Sequence, residues 1–133
     1  MAKKILMIVA PKEYRDEELN IPRDIFKQKG YEVVIASKGV KEASGMLGGK
    51  TQVDLDLSEV NTGNFDAVIF IGGAGATIFQ DDPEAHKIAK QAESQSKVLG
   101  AICIAPLILA NAGILKDKNA TISVSEGNKL QLS

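Results

Sequence analysis

Apolar residues in this chain come in short unbroken runs separated by longer stretches of mixed character. Lys3 to Val9 is one nearly continuous run and Phe65 to Ile71 (FDAVIFI) is another. Runs of this length without polar alternation fit strands buried on both faces of a parallel sheet. Tyr31 to Ser37 and Lys97 to Ile102 predict two more strands, and Asn119 to Val124 predicts a fifth.

Between the strands the period changes to that of helices. Glu17 to Lys29 reads as a helix stopped by Gly30, with Pro22 implying either a late start or a kink. A second helix is expected from Pro83 to about Ser94, with Asp81 or Asp82 as its cap. A short third helix is expected over Pro106 to Ala112, and Ser125 onward reads as the opening of another. Lys38 to Lys50 is polar and rich in Gly, which predicts a loop or small hairpin with Thr51 to Leu57 as its return arm. No repeat or linker divides residues 1–133. Strands alternating with helices predict one α/β domain, a doubly wound and mostly parallel sheet sandwiched by helices. Ligands of such sheets sit beyond the carboxyl ends of the strands. Pro11 to Glu18, the glycine loop Gly72 to Ala76, and Cys103 all fall at such ends.

Sixteen Lys and Arg against seventeen Asp and Glu leave a net charge of −1, with no Trp and few other aromatics. That balance carries neither the basic footprint nor the stacking groups expected of a nucleic-acid partner. Val98 to Leu115 is uncharged, but Gly100, Pro106, Asn111 and Gly113 punctuate it as strand, turn and helix rather than a membrane span. The single cysteine excludes an intrachain disulfide framework and favours a reducing, cytoplasmic setting.

Cys103 ends an apolar strand, and Pro106 suits the first turn of the helix after it. A thiol at that junction faces unpaired N–H groups that favour the thiolate and can hold a developing oxyanion. The geometry is that of a nucleophile elbow, although G-x-S-x-G is absent. A buried structural Cys fits the local sequence equally well. Gly72-Gly73-Ala74-Gly75-Ala76 does not match the dinucleotide spacing and reads as a tight turn offering backbone N–H groups. Glu17 and Glu18 complement the dipole of the first helix, and either could instead point over the sheet end toward Cys103. His86, the only histidine, reads as a solvated helix residue. One His and one Cys cannot build a zinc site, so no metal is expected.

Asp16-Glu17-Glu18-Leu19, Tyr31 to Ser37, Phe65 to Gly73, and Ala101-Ile102-Cys103 with Pro106 together resemble the ThiJ/PfpI superfamily, collinearly from residue 3 to about 124. The resemblance implies a flavodoxin-like, class I glutamine amidotransferase-like fold. It implies that Cys103 is the nucleophile and Glu18 the protonated carboxyl beside it, with Gly73 and the amides at Cys103 and Ile104 as the oxyanion site. It implies glyoxalase- or deglycase-like action on small reactive carbonyls, without a cofactor, in a homodimer or larger homo-oligomer. The alternatives are a non-catalytic redox sensor or stress holdase using Cys103 oxidation, and a protease- or amidase-like hydrolase. Two positions depart from the family pattern. Ile104 stands where protease-like members place His after the Cys, and Ser123 stands where many members have a His near the end of the next strand. The chain also stops early, so the final strand and helix of the family are expected to be missing.

Overall fold

In a computed structural model residues 3–123 are described. Five parallel strands form the central sheet: β1 (Lys4–Ile8), β3 (Glu32–Ser37), β6 (Leu55–Asp56), β7 (Ala67–Phe70) and β8 (Val98–Ala101), in the spatial order β6-β3-β1-β7-β8. A smaller sheet holds β2 (Lys12–Tyr14), β4 (Glu42–Gly45) and β5 (Lys50–Gln52). Among the described residues there are three α-helices: α1 (Asp16–Gln28), α2 (Pro83–Ser94) and α3 (Pro106–Asn111).

β1 is central because its side chains are apolar in both directions. Leu6 and Ile8 pack with Val68, Phe70, Ala85, Ile88 and Ile108, on the side of α2 and α3. Ile5, Met7 and Val9 pack with Tyr14, Leu19 and Ile35, on the side of α1. Burying one such side chain as completely as Leu6 contributes about 2 kcal/mol. α2 buries Ala85, Ile88, Ala89 and Ala92, a helical stripe, and its N-terminus is capped by Asp82, which accepts the Glu84 N–H at 2.9 Å.

Several elements differ from the sequence reading. α1 begins at Asp16 and runs through Pro22, so the proline neither delays its start nor ends it. Thr51 to Leu57 is split: β5 pairs antiparallel with β4, and β6 joins β3 in the central sheet. β2 was unforeseen, as was the 3-10 helix Ala74–Phe79 that follows the glycine loop. Asn119 to Ser123 form no strand, while Val124 and the helix expected from Ser125 lie outside the described residues. No helix among the described residues is long and apolar enough to cross a membrane.

The connection from β1 leads outward to β3 and β6, and the chain then returns to the other side of β1 as β7 and β8. The sheet therefore has its switch point between β1 and β7, where the outgoing loops separate and leave a crevice at the carboxyl ends.

Candidate functional site

Three chain segments meet at that crevice. The first is the short stretch from β1 to α1, the second is the glycine loop after β7, and the third is the turn after β8. Gly72 lies at their junction. A Cβ on it would stand 2.6 Å from the Cβ of Cys103, 2.6 Å from Oε1 of Glu18 and 2.8 Å from the carbonyl oxygen of Ile102. No side chain fits there, which is the physical reason for glycine. Gly73 has φ +108°, and its missing side chain lets the backbone of Glu13 to Arg15 pass directly over it. The Arg15 N–H donates to the Gly72 carbonyl at 3.0 Å and ties the first two segments together.

Cys103 has φ +64°, left-handed backbone that a residue with a Cβ adopts only under constraint. The constraints are visible. The Ala105 N–H donates to the Ile102 carbonyl at 3.0 Å, and the Ser123 N–H donates to the Cys103 carbonyl at 2.8 Å. Pro106 then opens α3 at a position where a missing N–H costs nothing. The thiol is half-buried and free.

Glu18 reaches the same point from the first turn of α1. Its Oε1 accepts the Gly72 N–H at 2.9 Å, and its carboxyl also hydrogen-bonds the Cys103 side chain. Burial pushes the Glu18 carboxyl up from its usual value, and the bonds from Gly72 and Cys103 oppose but do not cancel that push. Glu17, one residue earlier, turns outward and accepts from the Arg15 guanidinium.

An open cleft of about 320 Å³ lies over the thiol. Cys103, Ile104, Gly73 and Ser123 line it, and Arg15 and Met46 stand at its sides. Among the described residues, the N–H groups of Gly73, Cys103 and Ile104 donate to no protein acceptor. The cleft thus offers a sulfur and free backbone donors, and the Glu18 carboxyl, outside the cleft lining, bonds the same thiol and is shifted toward its neutral form by burial.

All five residues singled out in the sequence, Cys103, Glu18, Gly73, Ile104 and Ser123, come together here. His86 does not. It is half-buried rather than solvated, with Nε2 2.6 Å from the Gln80 carbonyl oxygen. Arg15 and Met46 were missed. Arg15 adjoins the acidic run and could have been weighed with it. Met46 arrives on the β4–β5 turn, and no local signal in the sequence links that turn to Cys103.

The comparisons with known proteins agree on one family. The DJ-1/PfpI family model matches residues 3–132. An uncharacterised protein of Methanocaldococcus jannaschii is 38% identical over 120 residues, covering 90% of this chain. The deglycase PfpI of Pyrococcus furiosus is also 38% identical over 120 residues, covering 89% of this chain. The chain spans 58% of the length of the first relative and 70% of the second. A ThiJ/PfpI domain protein from Brachyspira murdochii, 33% identical, superposes with a TM-score of 0.95 over 98% of this chain and 76% of its own.

Proposed function

Because this chain belongs to the DJ-1/PfpI family, we propose that it acts on small reactive carbonyls, with Cys103 as the nucleophile and Glu18 as the proton donor. The observation that carries this reading is the Glu18 carboxyl, bonded to both the Gly72 N–H and the Cys103 side chain beneath an open cleft.

In this reading the sulfur attacks the aldehyde carbon and the C=O electron pair moves to oxygen. The free N–H groups of Gly73, Cys103 and Ile104 receive that oxygen as charge develops. Glu18 is suited to supply the proton, since burial favours its neutral form and the Gly72 N–H fixes its orientation. The first adduct is a hemithioacetal. Moving the proton from its former aldehyde carbon to the adjacent carbonyl carbon gives a thioester, and water then releases a 2-hydroxy acid and restores the thiol. Ile104 and Ser123 offer no imidazole, so proton movement rests on Glu18. A free thiol in this role suits the reducing, cytoplasmic setting expected from the sequence.

Methylglyoxal turnover by the wild type, Cys103→Ser and Glu18→Ala tests the proposal. Cys103→Ser is expected to be inactive and Glu18→Ala slower by about 100-fold. A wild type no faster than Cys103→Ser would falsify it. Mass spectrometry after mild peroxide then addresses the sensor reading, in which Cys103 gains oxygen atoms without any turnover.

A further inference from the structure

Among the described residues, Arg15 is the only charged side chain lining the cleft. It is 44% exposed, and its guanidinium is engaged by Glu17, which is 41% exposed. A pair this open is loosely held, because water screens the charges and both side chains keep alternative conformations. A substrate anion can therefore take the place of Glu17 on the guanidinium at little cost, leaving Glu17 to water. The second carboxyl nearby, Glu18, is not among the residues lining the cleft, and burial shifts it toward its neutral form, which lessens its repulsion of an incoming anion. The cleft, open and about 320 Å³ in volume, has ample room for a small anion beside the thiol.

We propose that Arg15 makes the cleft selective for small α-oxo acids, in which a carboxylate adjoins the reacting carbonyl, over uncharged carbonyls of the same size. This rests on the carbonyl reading above and adds the substrate class to it. The carboxylate pairs with the guanidinium while the aldehyde carbon lies toward Sγ of Cys103. The S–C bond forms as the C=O π bond breaks. Glu18 gives its proton to the former carbonyl oxygen and takes up the thiol proton, a net shift of one proton from sulfur to oxygen. No oxidant or reductant is consumed.

Protection of Cys103 from iodoacetamide, followed by mass spectrometry, measures adduct formation. Glyoxylate and its methyl ester are the probes, since they present the same aldehyde with and without the charge. Their intrinsic electrophilicities differ, so the quantity read is how their ratio of protection constants changes between proteins. Arg15→Gln is expected to shift that ratio about fivefold toward the ester. Glu17→Gln, which releases the guanidinium, is expected to shift it toward glyoxylate. A ratio indifferent to both substitutions, with protection intact, overturns the selectivity and leaves the carbonyl reading standing. Absence of protection by either probe in the wild type overturns both.

Discussion

Asp16 and Glu18 leave the same turn of α1 two residues apart, and the fold treats their carboxyls in opposite ways. Two helical residues so spaced point to opposite sides of the axis. Asp16 faces the β4–β5 turn, where its two oxygens accept the Leu47 and Gly49 N–H groups at 2.8 Å each. Those bonds hold its carboxyl below the usual aspartate value. Glu18 faces the strand ends, receives one backbone N–H, and is pushed up by burial. Both carboxyls lose water to their surroundings; at Asp16 the two amide bonds outweigh that loss, and at Glu18 the bonds from Gly72 and Cys103 do not. The first arrangement anchors a turn, and the second shifts a carboxyl toward its neutral form beside a thiol.

The comparison can be broken most forcefully from the Glu18 side. Gly72→Ala places a methyl group against Cys103, Glu18 and the Ile102 carbonyl at once. It is expected to cost about 2–3 kcal/mol in urea unfolding. Amide exchange at Leu47 and Gly49 should stay slow in the same variant, because the Asp16 contacts are untouched. Asp16→Ala is the converse test. Exchange at those two amides is expected to quicken about tenfold, and Met46, carried on the same turn, is released from its place beside the cleft.

The smallest effect, and the sharpest, is in the pH dependence of stability. The folded Glu18 carboxyl has a raised pKa, so its contribution is fully present below the ordinary glutamate value of 4.5 and is lost as pH rises through the folded value. The stability of the wild type minus that of Glu18→Gln should therefore fall as pH increases above 4.5. Asp16 has a lowered pKa, so its contribution is present above the ordinary value of 3.8 and is lost as pH falls through the folded value. The difference between wild type and Asp16→Asn should fall in the acid direction instead. Chemical denaturation across pH 3 to 8 reads both slopes, and slopes of the same sign would contradict the assignment.

The sequence made the sheet legible because burial on both faces leaves a simple mark. β1 and β7 are short apolar runs, and Pro11 and Gly72 follow closely after them. Cys103 was legible for the same reason, as a residue just past such a run. What was not legible depends on partners far along the chain. β2 buries only Tyr14 of its three residues and exists because it pairs with β4, some thirty positions later. Gly45 and Gly49 read as loop residues, yet each lies where a side chain would collide with the Asp16 carboxylate. Glu17 and Glu18 were equivalent on paper. One step of helical rotation sends the first to Arg15 in solvent and the second to Gly72, which only the tertiary arrangement decides.

The junction at Gly72 has a further consequence in time rather than in space. Glu18 meets Gly72 from 54 residues away, and Cys103 comes to the same point only after β8 has joined β7. Contacts so distant along the chain close late in folding, after local helices and the first strand pairs have formed. The surroundings of the thiol are therefore among the last features a refolding chain acquires. A brief pulse of alkylating reagent at successive refolding times would make Cys103 a timer for that final docking event.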